Sequence, residues 1–394
     1  MALNATVRGA MPTHGGKTGI AVAGYDPLVD DSPPTIPYEG GGRYEISDLL
    51  RKAIEVGASD LHMAVGRPPI LRLHGQLHNL TGEPLTPPET RRLIYGILND
   101  QQKQKFEEEK ELDFSLAVSN MGRFRVNVHL QRSTVAAAFR VIDSRIRSFQ
   151  ELNLPTRVME YLSRRPNGFV LITGPTGSGK STTLAAMVDL INTERDCHII
   201  TIEDPIEYLH HHKRALIEQR EVNEDTYSFQ NALKYCLRQD PDVLMIGEMR
   251  DLETISAAIT AAETGHLVFS TLHTVSAVQT VDRMIDVFPP HQQEQIRIQL
   301  AAVIEGAICQ KLLPSARGSR EIALEIMIAT DAIRNLVREG NTHMIQGTIE
   351  AGGKWGMVTM DRSILDLYRQ GAITKEVALL NCNKPVEMKR QMGL

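Results

Sequence analysis

Apolar and polar positions change period several times along the chain, and each change predicts an element. Ile46, Leu49, Leu50 and Ile54 recur at helical spacing, with Ser47 or Asp48 as the capping residue. Leu61-His-Met-Ala-Val and Ile70-Leu-Arg-Leu-His predict two strands on either side of Gly66-Arg-Pro-Pro. One helix is expected from Pro87-Pro88 to about Leu98. A second starts near Asp100 and carries a charged, solvated face from Lys103 to Glu111. Leu112–Ala117, Gly122–Leu130 and Val135–Ile142 complete a small antiparallel sheet, so residues 43–143 form one α+β domain, followed by a linker at 144–153.

The pattern then changes. After a helix around Thr156–Arg164 comes the apolar strand Phe169-Val-Leu-Ile-Thr, a glycine-rich loop and the helix Ser181–Ile191. Short strands, each apolar throughout, follow at His198–Ile202, Val243–Ile246 and Leu267–Ser270, with helices between them. This alternation predicts a parallel sheet covered on both faces, in a second domain at 154–330. A short hairpin at Glu321–Ile328 closes it, and 331–394 reads as a helical segment. Residues 1–42 contain Pro33-Pro34 and Gly40-Gly41-Gly42 and bury too little apolar surface to offset chain entropy, which predicts a disordered tail.

Composition narrows the function classes. Of 394 residues, 42% are hydrophobic and 23% charged, which is ordinary for a soluble globular chain. The net charge of −5 does not support a general nucleic-acid binder. Cys197, Cys236, Cys309 and Cys382 form no Cys-x-x-Cys pair, so neither a disulfide framework nor a zinc site built on such pairs is expected. No apolar run approaches the ~18–20 residues of a membrane span. A cytoplasmic location follows, with any membrane association made through a partner.

Gly174-Pro175-Thr176-Gly177-Ser178-Gly179-Lys180-Ser181-Thr182 carries the strongest chemistry. It fits Gly-x-x-x-x-Gly-Lys-Ser/Thr directly after an apolar strand and at a helix start. The glycines let backbone N–H groups wrap a phosphate, Lys180 is placed for the β/γ-phosphates, and the Ser181 hydroxyl is placed for Mg²⁺. Three further segments can supply hydrolysis. Thr201-Ile-Glu203-Asp204-Pro-Ile-Glu207-Tyr208 puts acids at a strand's C-terminal end, with Glu203 a candidate to polarise water. Asp242-Val-Leu-Met-Ile-Gly247-Glu248-Met-Arg250-Asp251 resembles a Walker B strand in which glycine stands where an aspartate is usual, so Glu248 must serve metal, water or both. Thr264–Thr274 is a strand flanked by His266 and His273, of which His273 can sense the γ-phosphate.

In this order the segments resemble the secretion-superfamily ATPases, in particular the branch that retracts type IV pili. The resemblance covers roughly residues 44–390 and includes Ala58-Ser-Asp-Leu-His-Met and the retraction-type signature Ala332-Ile-Arg-Asn-Leu-Val-Arg-Glu339, with one conservative difference at Val337. It implies an α/β fold: a RecA-like P-loop ATPase domain, a smaller PAS-like N-terminal domain and a C-terminal helical segment. It also implies a homohexamer binding ATP and Mg²⁺, with Arg125 and Arg140 contacting phosphates. The implied partners are an inner-membrane pilus platform protein and, as a further candidate, a paralogous retraction ATPase. Ile333, Leu336 and Val337 share one face of a helix, with Arg334, Arg338 and Glu339 expected elsewhere on its surface. The rivals are an assembly or secretion ATPase, a conjugation-type export ATPase and a non-hydrolysing ring subunit.

Overall fold

The computed structural model describes residues 35–39, 43–118, 121–142 and 145–393. The described residues form two compact units, one holding those up to Glu111 with Val128–Ala138, the other those of Leu112–Asn127 with those from Phe139 onward. Two seven-stranded sheets organise it.

The first sheet comprises β1 (Thr35–Ile36), β2 (Asp60–Met63), β3 (Ile70–Leu73), β4 (Gln76–Leu80), β5 (Glu111–Val118), β6 (Gly122–Gln131) and β7 (Thr134–Ile142), in the order β1-β4-β3-β2-β7-β6-β5. Most of the expected tail, 1–34 and 40–42, lies outside the described residues; Thr35–Ile36 fall within it yet pair parallel with Asn79–Leu80. Strand β4, Gln76-Leu-His-Asn-Leu, was not expected, because it is too polar to show a buried face; it pairs antiparallel with β3. The first helix, Ile46–Glu55, has Glu45 at its N-cap with no side-chain cap, so Ser47 and Asp48 sit inside its first turn rather than capping it. The helices Pro87–Tyr95 and Asp100–Glu109 start at capping boxes, Thr86 with Glu89 and Asn99 with Gln102. Only Phe106 of the second is buried, as a solvated charged helix requires.

The second sheet comprises β8 (Gly168–Thr173), β9 (His198–Glu203), β10 (Leu216–Glu221), β11 (Val243–Ile246), β12 (Leu267–Leu272), β13 (Ile304–Pro314) and β14 (Arg320–Ile328), in the order β10-β9-β11-β12-β8-β13-β14. From β10 to β13 all neighbours are parallel, and only β13 and β14 pair antiparallel. Every residue of β8 and β12 is buried, which is why these strands read as largely apolar. Two strands escaped the sequence. β10 is an edge strand with alternating burial, so its apolar content is low. β13 follows the helix Pro290–Val303 without a break, and its length makes the hairpin much longer on that side than Glu321–Ile328 suggested. The segment 145–153 is not a free linker, because Phe149 is buried in the main core and its carbonyl accepts from the Leu154 N–H.

The C-terminal helices Asp331–Glu339, Met360–Arg369 and Lys375–Asn381 each begin at a threonine cap, Thr330, Thr359 and Thr374. Met360, Ile364, Leu365, Ala378 and Met388 form a separate small core with Leu313 and Ala323. In Asp331–Glu339, Ile333 and Val337 are buried as expected. Arg334 is not a free surface residue: it ion-pairs with buried Glu305 at 2.7 Å and donates to the carbonyls of Ala301 and Ala302. Arg165 holds the other Glu305 oxygen at 2.8 Å, so the buried carboxylate is matched by two guanidinium groups.

Candidate functional site

Four loops leave neighbouring parallel strands at their C-terminal ends, where sheets of this class bind ligands. They follow β8, β9, β11 and β12; Lys180 opens the helix after the first, Glu203 ends β9, and Glu248 and His273 lie on the last two. All four residues line one cavity of about 430 Å³, together with Thr176, Gly177, Gly179, Ser181 and Thr182. The structure therefore brings together the glycine loop, the acidic segment, the degenerate Walker B and the second histidine.

The loop has its shape because three of its residues are glycine. Gly174, Gly177 and Gly179 adopt φ of 142°, 78° and 89°. At Gly174 a Cβ would lie 2.3 Å from the Gln310 carbonyl oxygen on β13. Gly174→Ala is expected to lower stability by about 1–3 kcal/mol through backbone strain alone and to weaken nucleotide binding; thermal unfolding and a fluorescent-nucleotide titration check both. Gly179 is the N-cap of the helix Lys180–Glu194, so the first-turn N–H groups face the loop. Pro175, by contrast, contributes backbone only, its carbonyl accepting from Lys180 Nζ at 3.2 Å. Ser178 is 2% exposed, and its hydroxyl is buried without a hydrogen-bond partner among the described residues, facing Gly174.

Lys180 Nζ donates to the Gly174 carbonyl at 2.9 Å. Burial pushes its pKa down, while the Glu207 and Glu248 carboxylates push it up. Glu248 ion-pairs with Arg250 at 2.7 Å and lies 3.6 Å from His273 Nε2. His266 lies at the other end of β12, where its ring Nδ1 contacts the Ala261 carbonyl at 2.8 Å and Thr264 Oγ1; it is structural.

The glycine in the Walker B position has a steric reason. A Cβ on Gly247 would stand 3.2 Å from the Ile202 carbonyl oxygen and 3.4 Å from Glu203 Cα. Glu203 itself is 7% exposed. Its Oε1 accepts from Thr201 Oγ1 at 2.7 Å and Gln219 Nε2 at 3.1 Å, and its Oε2 from the Glu207 N–H at 3.4 Å. Burial raises its pKa to about 7, against the lowering effect of these three bonds. A carboxyl poised near neutrality is suited to take a proton.

Arg125 and Arg140 are exposed on β6 and β7 and do not line this cavity. Arg320, at the start of β14, does line it, and it was not singled out in the sequence because nothing marks a hairpin arginine as a site residue. Tyr208, whose hydroxyl lies 2.8 Å from Thr182 Oγ1, ties the acidic loop to the phosphate-loop helix. The site also suits a magnesium ion. Ser181 and Glu248 offer hard oxygen donors on the cavity, and among the described residues no cluster of three or more His, Cys, Asp or Glu offers a different metal site.

Residues 43–377 match the family model described as "Type II/IV secretion system protein". The chain is 47% identical over 334 residues to the type IV pilus retraction ATPase PilT of Pseudomonas aeruginosa, covering 85% of this chain and 97% of that one. It is 45% identical over 337 residues to a twitching motility protein of Neisseria gonorrhoeae, covering 85% and 90%. A crystal structure of the pilus retraction motor PilT with bound ADP superposes with a TM-score of 0.83 at 48% identity, covering 88% of this chain and 100% of that one. Among the described residues no helix is long and apolar enough to cross a membrane.

Proposed function

The chain belongs to the type II/IV secretion system protein family of P-loop ATPases, and on that premise we propose that it is a hexameric motor whose hydrolysis of ATP retracts a type IV pilus. The observation that carries this reading is its near full-length match to proteins named for pilus retraction and twitching. The geometry agrees, because the phosphate loop, two acids and a histidine meet at one strand-end cavity.

In this reading the glycine loop and Lys180 hold the β- and γ-phosphates. Ser181 and Glu248 would hold Mg²⁺, which would supply charge neutralisation at the phosphates. Glu203 orients a water and accepts its proton as the water oxygen bonds to the γ-phosphorus. The bond from that phosphorus to the β–γ bridging oxygen breaks, leaving ADP and phosphate. Arg125 and Arg140 are exposed and would meet phosphate through domain closure or a neighbouring copy, where their planar forks suit phosphate oxygens. The assignment of 43–143 as a PAS-like domain, 154–330 as the RecA-like domain and 331–394 as a helical segment belongs to the same proposal. So do a cytoplasmic place beside the inner membrane, a pilus platform partner and a paralogous ATPase. The helix Asp331–Glu339, anchored by Arg334 on Glu305, would carry motion outward through its exposed Arg338 and Glu339.

A deletion strain tests the direction of the motor. Loss of surface motility with pili retained or increased is expected. Loss of pili altogether would move the protein to the assembly branch.

A further inference from the structure

Gln219 does more than occupy an edge strand. It lies on β10 opposite Thr201 of β9. Its side-chain amide makes three hydrogen bonds. Nε2 donates to Glu203 Oε1 at 3.1 Å and to the Tyr208 carbonyl at 2.8 Å, and Oε1 accepts from the His210 N–H at 2.8 Å. Both amide protons and the amide oxygen are thereby used. The orientation is also forced. A flipped amide would turn its oxygen toward two acceptors, Glu203 Oε1 and the Tyr208 carbonyl, and its NH₂ toward the His210 N–H.

The consequence falls on Glu203. Gln219 and Thr201 both donate to Oε1, while Oε2 has only the long contact from the Glu207 N–H. Oε1 is therefore the anchored oxygen and Oε2 the one left for a reacting water. The same amide pins the chain at Tyr208 and His210, between which the acidic loop turns back, and Tyr208 in turn meets Thr182 on the phosphate-loop helix. Gln219 thus shares with Thr201 the anchoring of Glu203 Oε1.

We propose that Gln219 is the positioning residue of the ATPase site, aiming Glu203 Oε2 at the attacking water. This rests on the reading of Glu203 as the group that accepts the water's proton. Gln219 acts through Glu203 and has no role in holding nucleotide, so its loss should appear in kcat and not in KM.

The test is steady-state ATP turnover by the full-length protein carrying Gln219→Met, Gln219→Glu, Glu203→Gln, and Gln219→Met combined with Glu203→Gln. Methionine keeps the volume and removes all three bonds. Glutamate keeps the shape but faces Glu203 Oε1 and the Tyr208 carbonyl with an acceptor. Each Gln219 single variant is expected to lower kcat about 10- to 100-fold, the scale of a misplaced reacting group, with KM for ATP and ADP affinity within about threefold of wild type. In the Glu203→Gln background, Gln219→Met should cause no further loss, because its target is already gone. If the methionine variant does not assemble, the glutamate variant carries the test alone. Wild-type kcat in the Gln219 variants, beside an impaired Glu203→Gln, overturns the positioning role and leaves the reading of Glu203 intact. An equal loss in both backgrounds also overturns it, since Gln219 would then act independently of Glu203. Wild-type kcat in Glu203→Gln itself sinks the reading of Glu203, and the proposal with it.

Discussion

Glu203→Gln is expected to reduce ATP turnover by about 10²–10⁴-fold, the usual contribution of a general base, with nucleotide affinity nearly unchanged. Glutamine preserves the size of the side chain and its acceptor oxygen, so Thr201 can still donate to it. What is lost is the capacity to take a proton. The wild-type enzyme should show the same group in its pH profile. Burial lifts the Glu203 carboxyl from an ordinary 4.5 to about 7, so kcat/KM should rise with pH through neutrality as the carboxylate forms. In Glu203→Gln that limb should vanish. Stability should respond in the opposite sense. The folded protein binds this proton more tightly than the unfolded chain, so Glu203's contribution is fully present below pH 4.5 and is lost as pH rises through about 7. Turnover assays and chemical denaturation across pH 5–8 check both slopes. A pH profile identical in wild type and variant counts against Glu203 as the base.

Lys180→Ala is expected to lower turnover about 10²–10³-fold, as for loss of one charge stabilising a transition state, and to weaken nucleotide binding as well. The cause is electrostatic. Lys180 is the ammonium on a cavity that also carries the carboxylates of Glu203, Glu207 and Glu248. Both Glu207 and Glu248 act on it strongly enough to oppose the effect of burial on its pKa. Without it those acids face a polyphosphate with only the loop's N–H groups and Arg320 to offset them. The two variants should therefore separate: Glu203→Gln loses kcat only, whereas Lys180→Ala loses kcat and affinity together. Phosphate release and a fluorescent-ADP titration distinguish them, and an alanine variant with affinity and turnover within threefold of wild type would place the phosphates elsewhere.

Much of this site is legible in the chain because its parts are local. The glycine loop is read from contiguous residues, since φ above zero at Gly174, Gly177 and Gly179 is a property of each residue. The same holds for β8, β9, β11 and β12, whose burial on both faces leaves largely apolar runs up to their C-terminal ends at Thr173, Glu203, Ile246 and Leu272. Strands of mixed polarity were harder. β4, β10 and the full length of β13 have no such run, and Arg334 was read as a surface charge because Glu305, its partner, lies 29 residues away.

The glycine loop, the succession of parallel strands and the acids and histidines at their ends are determined by the sequence alone, through backbone geometry and apolar pattern. Only the tertiary structure decided which of these groups share a cavity, how closely Gly247 approaches the Ile202 carbonyl, and that Gln219 holds Glu203 from the neighbouring strand. Those facts depend on register between β10 and β9 and on the approach of one backbone to another, and a contact set by sheet pairing leaves no periodic trace in the residues that make it.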